Sequence, residues 1–334
     1  MEILSQPAPS AWAPFRIAPW FAERVWGFTN LHPWYDRAAD GKLIGEAWLT
    51  GEQCVVETGV HAGQTLGALF EKAPEALLGS AARSASPLLI KVIFAKEKLS
   101  VQVHPDDAMA QKYGAPRGKS ECWYVLEADP GAQVACGLKP GVTLDVVKAG
   151  IEAGTLEQSL NLLDVARGEV VYVDAGTVHA IWPGSILLET QQNCDLTYRM
   201  YDYGRGRELS IEKSLEATKL VTHAGKILPR VLTDRKILIE GEYFCVECLG
   251  VVGSRTSASL SGPSLAGDGR PSPGLQYLFA AGGAARIAGE GFEPLELPMG
   301  GMAAVPAVSP EFVVEDLGGL DLIRITPRWP TANP

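Results

Sequence analysis

Short runs in which apolar and polar residues alternate recur along the chain, and a period of two marks a strand with one buried face. The stretch Leu99-Ser-Val-Gln-Val-His-Pro shows the pattern most plainly. Val101 and Val103 fall on one face, Gln102 and His104 on the other. Pro105 has no backbone N–H to give to a ladder and predicts the strand's end. Runs at 45–50, 121–127 and 185–192 also read as strands, 168–176 reads as a turn, a strand and another turn, and 87–95 is an apolar, β-rich run with one lysine, Lys91, inside it. The pattern predicts helices over 64–79, with Pro74 breaking or restarting the helix. It predicts others from an Asp106-Asp107 cap to about 114, over 141–166 in two pieces starting at Thr143 and at Gly154-Thr155, and from 208 to about 221. Beyond about 230 the runs shorten to 236–251, 275–280, 284–288, 292–297 and 302–308, around a Gly/Ser/Pro-rich stretch at 252–274. Short strands with frequent turns predict a sandwich or barrel.

At 334 residues the chain has room for two domains or one large β unit with appendages. We expect a domain over 1–230 and a β domain over 231–334. The aromatics crowded into the first sixty residues, among them Trp26, Trp34 and Trp48, are expected to fill or cover one end of a sheet. A net charge of −10 argues against a nucleic-acid or anionic-membrane surface, which needs a basic stripe. No apolar run is long enough to predict a membrane-spanning helix. The first residues, Met-Glu-Ile-Leu-Ser-Gln-Pro, have neither the basic nor the apolar region of a secretory signal. Six cysteines are too sparse for a disulfide scaffold. Cys245 and Cys248 form one C-x-x-C pair inside what reads as a buried strand, a weak signal for zinc or redox chemistry. A reducing, cytoplasmic setting is the expectation.

Gln102 and His104, side by side at a strand end, can be half of a metal site or a polar strand edge. Lys91 can bury its stem and reach solvent, or place a cation in a cavity. The spacing of Gly168, Asp174-Ala-Gly176 and His179 resembles the second motif of the cupin superfamily, with Asp174 where proline is usual. The first cupin motif, His-x-His followed by a glutamate, is matched by Gln102-x-His104 and then Glu121. The match implies four metal ligands: Gln102, His104, Glu121 and His179. Two imidazoles, a carboxylate and an amide oxygen suit one zinc ion with a position left open, and do not exclude iron or manganese. The last histidine is His223, so the C-terminal third cannot build a second site of this kind.

Longer stretches carry a closer resemblance. These are Leu-Ser-Val-Gln-Val-His-Pro-Asp-Asp at 99–107, Gly-Lys-Ser-Glu-Cys-Trp-Tyr-Val-Leu at 118–126, Ala-Gly-Thr-Val-His-Ala-Ile at 175–181 and Glu-Thr-Gln-Gln-Asn-Cys-Asp-Leu-Thr-Tyr-Arg-Met-Tyr-Asp at 189–202. On them the chain resembles type I phosphomannose isomerase in its short bacterial form. The resemblance covers 20–225 well and the remainder in outline; Cys194 stands where serine is usual. It implies a mainly all-β fold, with a cupin-type jelly-roll core, helical insertions and a second, degenerate β jelly roll. It implies zinc-dependent interconversion of mannose 6-phosphate and fructose 6-phosphate through a cis-enediolate. Arg199 matches the family's active-site arginine, and Glu189 is the first candidate for the base. Lys119 is the second, its pKa expected to fall beside a cation. Lys91 and Ser100 match positions at the family's cavity, and Asp195 is expected to orient Arg199. The expected partner is a small sugar phosphate, the expected assembly a monomer or weak homo-oligomer. The competing readings are a non-catalytic sugar-phosphate-binding cupin and a metal-dependent cupin enzyme of another reaction type.

Overall fold

The structure is a computed structural model that describes residues 11–37, 40–79, 86–249, 264–265, 271–272 and 274–329. The chain forms two compact units that interleave along the sequence. One comprises Phe21–Trp48 and Leu88–Leu228, the other Met1–Trp20, Leu49–Pro87 and Pro229–Pro334. The last crossing falls beside the expected 230/231 division, but two N-terminal stretches group with the C-terminal residues rather than with 88–228.

The first unit carries twelve strands: β1 (Trp20–Phe28), β2 (Ile44–Trp48), β3 (Leu88–Ala95), β4 (Val101–Val103), β5 (Glu121–Ala128), β6 (Gln133–Leu138), β7 (Leu160–Asp164), β8 (Val170–Val173), β9 (His179–Ile181), β10 (Ser185–Gln192), β11 (Tyr198–Tyr201) and β12 (Gly225–Ile227). They form a seven-stranded sheet in the order β12-β8-β5-β10-β3-β2-β1 and a five-stranded sheet in the order β11-β4-β9-β6-β7. Ile93, Val125, Val171 and Leu187 of the larger sheet pack against Val134, Cys136 and Ile181 of the smaller. The opposite face of the smaller sheet, with Val101, Val103, Ala180 and Met200, is covered by helical residues such as Val147, Ile151 and Ala217. Alternation thus divides β4 as the sequence predicts, with its valines in one core and Gln102 turned to the other side.

Thr65, Asp106 and Thr143 each accept a backbone N–H from the first turn of the helix that follows, at Leu66–Lys72, Asp107–Lys112 and Leu144–Glu152. Pro74 opens a new helix, Pro74–Leu78, rather than continuing the old one. The second half of the expected 141–166 helix is different. Leu156–Ser159 is a single 3-10 turn, and Leu160–Asp164 is β7, paired antiparallel with β6. Thr155 makes no side-chain cap there, and pairing along one side with β6 gives the segment ladder hydrogen bonds that an isolated helical turn lacks. The last predicted helix shortens to Ile211–Ala217.

Gly27 marks a close approach between β1 and β2. A Cβ there would stand 2.2 Å from the carbonyl carbon of Ile44. Gly27→Ala should therefore destabilise the protein by about 1–3 kcal/mol, read as a lower urea midpoint at unchanged slope.

The second unit is also a β-sandwich. Its eight-stranded sheet includes Phe244–Leu249, Asp321–Pro327, Gln276–Gly282 and Met302–Val305, and its three-stranded sheet is Leu295–Leu297, Ala285–Gly289 and Phe312–Asp316. Leu278, Ala280 and Ala303 of the first sheet pack with Ala285, Ile287, Leu297 and Val314 of the second. Most of 252–274 lies outside the described residues.

Candidate metal centre

Strand pairing sets two rows of polar side chains on the facing sides of the two sheets of the first unit. On the smaller sheet, Gln102 of β4 is paired with His179 of β9 on one side and with Arg199 of β11 on the other. On the larger sheet, Lys91 of β3 is paired with Glu189 of β10 and with Trp48 of β2, and Glu189 with Trp123 of β5. Glu121, at the start of β5, is paired with Gln191. Directly paired residues of an antiparallel ladder share a face, so each row is a contiguous patch of chemistry.

His104, Glu121 and His179 offer one ligand atom each, all within 4.8 Å of one another, and all three residues are buried. The Nδ1 of His104 lies 3.0 Å from the Leu196 carbonyl oxygen and that of His179 2.9 Å from the Thr177 carbonyl oxygen. A carbonyl can only accept, so Nδ1 carries the proton in both rings and each Nε2 keeps its lone pair. Burial lowers the pKa of both imidazoles, His104 well below its ordinary value and His179 to about 4, which keeps them neutral, as ligation requires. Their Nε2 atoms stand 3.7 and 3.5 Å from the two Glu121 oxygens. Gln102 Nε2 is 3.2 Å from His179 Nε2, and turning the amide over brings Oε1 to the same place. Donors bound to a tetrahedral zinc ion stand about 3.3–3.6 Å apart. Glu121 is fully buried, and neither of its oxygens accepts a well-formed hydrogen bond; its one close partner is the Lys119 ammonium, 2.7 Å from Oε2. A carboxylate does not stay buried with unused lone pairs without compensation. The donor set and its spacing fit a divalent ion held by Gln102, His104, Glu121 and His179.

The candidate acid–base residues lie beside this group. Lys91 is 2% exposed, so its ammonium sits in a cavity rather than reaching solvent. Nζ is 3.1 Å from Asp195 Oδ1 and 3.7 Å from Glu189 Oε2, and lies 4.6 Å from the centre of the Trp48 ring. Burial, reinforced by the Glu121 charge, raises the pKa of Glu189, whose Oε1 accepts the indole N–H of Trp123 at 3.2 Å. Lys119 Nζ donates to His104 Nε2 at 3.1 Å. Burial by itself would lower its pKa, but the Glu121 and Glu189 carboxylates outweigh burial and raise it. Ser100 is buried, with Oγ 3.5 Å from Gln102 Oε1.

Asp195, expected to orient Arg199, pairs with Lys91 instead. The Arg199 guanidinium is held from the other direction: Nη1 donates to the Glu208 carbonyl at 3.0 Å. Three neighbours of the site were not legible as such in the sequence. Trp123 supports Glu189, and Trp48 underlies Lys91. Glu46, buried in β2, accepts from Trp48 Nε1 at 2.7 Å and from Arg24 Nη2 at 2.8 Å. The only available signal was Glu46 and Trp48 sharing one parity of a short strand. Cys245 and Cys248 lie on a strand of the other unit, where burial pushes both thiols up to about 12. Among the described residues, no group of His, Cys, Asp and Glu placed to hold a metal includes them.

Two facing antiparallel sheets with a His/Glu/His group inside define an all-β protein of cupin type. A family model, phosphomannose isomerase type I, catalytic domain, matches residues 15–132. Mannose-6-phosphate isomerase of Streptococcus mutans is 34% identical over 279 residues, which cover 78% of this chain and 87% of that protein. The crystal structure of the mannose 6-phosphate isomerase from Bacillus subtilis is 27% identical, has a TM-score of 0.81, and covers 94% of this chain and 99% of its own. A mannose 6-phosphate isomerase bound with zinc and yttrium shares the fold at 17% identity, with a TM-score of 0.71, across 95% of this chain and 100% of that one. The chain belongs to the type I mannose-6-phosphate isomerase family, and is an isomerase. No helix among the described residues is long and apolar enough to cross a membrane.

Proposed function

We propose that the protein interconverts mannose 6-phosphate and fructose 6-phosphate through a cis-enediolate. One zinc ion per chain would be held by Gln102, His104, Glu121 and His179. The observation that carries this reading is the buried Glu121 carboxylate, met by the Lys119 ammonium at Oε2 and facing two imidazole Nε2 lone pairs at 3.7 and 3.5 Å. When bound, a zinc ion supplies Lewis-acid polarisation of the sugar carbonyl. Two imidazoles, one carboxylate and an amide oxygen are a donor set that favours it.

The chain's own residues supply the remaining functions. Glu189 takes the proton from C2 and returns it to C1, while the O2 hydroxyl proton is handed to O1; a carboxylate whose pKa is raised by burial is a stronger base than one in water. Lys119, its ammonium 2.7 Å from Glu121 Oε2, serves as a cation for an oxyanion or the phosphate and is the second candidate for the base. Lys91 keeps the charge of Glu189 and Asp195 in place. Arg199, next to Gln102 on the neighbouring strand, offers a planar fork to the enediolate or the phosphate. Ser100 and Asp195 line the substrate side. Catalysis is assigned to the unit Phe21–Trp48 with Leu88–Leu228, and the other β unit is assigned no metal site.

A coupled assay tests the reading. Mannose 6-phosphate should be converted by the purified protein, conversion should stop on chelation, and added zinc should restore it. No conversion at all would leave a sugar-phosphate binder; conversion indifferent to chelation would remove the metal from the mechanism.

A further inference from the structure

We propose that Asp202 is a positioning residue that acts through Arg199, by tying residues 202–210 into a clamp around the arginine. The inference rests on the role given to Arg199 above.

Arg199 needs an external restraint. It sits on a strand of four residues, and the β11–β4 register shifts between Arg199 and Tyr201. A bulge of this kind re-aims the side chain beside it and interrupts the ladder. Its Nε is buried without a hydrogen-bond partner, and Nη1 is held by the carbonyl of Glu208, nine residues later. The Arg199 carbonyl in turn accepts from the Ser210 amide at 2.8 Å. Both the backbone and the guanidinium of Arg199 therefore depend on where the 202–210 loop lies.

That loop has little regular structure to hold it. Tyr203, Gly204 and Gly206 all have positive φ, and Tyr203, at 55°, is the sole non-glycine residue so placed among the described residues. A tyrosine in that region costs on the order of 1–2 kcal/mol, so surrounding contacts must hold it there.

Asp202 supplies the tie. It is 4% exposed, and its Oδ2 accepts from Arg207 Nε at 2.8 Å while Oδ1 accepts from Arg207 Nη2. This is a fork-to-fork pair closing five residues of the loop. Arg205 adds a second tie, with Nη1 3.7 Å from Asp202 Oδ1 and donating to the Lys98 carbonyl at 2.7 Å. Lys98 directly precedes the segment that leads into β4, and its ammonium lies over the Trp182 ring, just beyond β9. The clamp is thus fastened next to the strands that carry Gln102 and His179. Asp202 makes these contacts without being one of the groups assigned to the ion or the sugar.

A double-mutant cycle separates positioning from general support. Asp202→Asn should lower kcat by about tenfold to a hundredfold, the size of effect expected from misplacing a catalytic group. KM should change less, and metal content should stay near that of the parent. In an Arg199→Ala background the same change should lower the remaining turnover by no more than about twofold, since the group it positions is already gone. Arg207→Ala removes the other half of the tie from a partly exposed side chain and should behave alike, which keeps the test decisive if Asp202→Asn folds poorly. Turnover near parental in both variants overturns the proposal. An equal loss in the parent and in the Arg199→Ala background also overturns it. Should Arg199→Ala itself keep full turnover, the role of Arg199 fails and this inference falls with it, a result distinct from the other two.

Discussion

Glu189→Gln is expected to stop the exchange of the substrate's C2 proton with solvent and to lower turnover by about 10²–10⁴-fold, the usual contribution of a positioned general base. The substitution is nearly isosteric. Oε1 remains to accept the Trp123 indole N–H, and Lys91 keeps its closer partner, Asp195, so the fold around the position should persist. What is lost is the charge that burial has made a better base. The measurement is deuterium uptake at C2 by NMR, beside steady-state turnover and metal content. Exchange that survives in the variant would transfer the proton to Lys119, the other candidate within reach of the ligands.

Arg199→Ala should lower kcat by about 10²–10³-fold, the cost of removing one preorganised partner of a developing oxyanion. Arg199 is not among the ligands, so metal content should stay at the parental stoichiometry. The side chain is also half-buried, next to Gln102 in the strand register, and truncation removes packing as well as charge. Metal analysis on the same sample separates the two roles. A variant that loses its metal together with its activity would make Arg199 a support for Gln102 rather than a partner of the substrate.

Within one strand, backbone geometry sends successive side chains to opposite faces whatever surrounds it. That is why Gln102 and His104 could be assigned to one side, and Val101 and Val103 to a core, from residue order alone. Helix starts at Asp106 and Thr143 were legible for a similar reason, because a cap is a contact between residues three apart. Residues 160–164 misled because a short Leu-rich run suits a helix or a strand, and only its ladder with β6 decides between them.

Residue order by itself settled the short strands and the face on which Gln102 stands, since these follow from period and short-range spacing, whereas the cupin-type architecture and the candidate ligand set followed from the family resemblance of the motifs. The tertiary structure alone decided that Asp195 serves Lys91, that the Glu208 carbonyl holds Arg199, and that 1–20 and 49–87 group with the C-terminal sandwich. Those partnerships join residues separated by many positions. They come from strand order and from the burial of charges that must find a counterpart wherever the fold brings one.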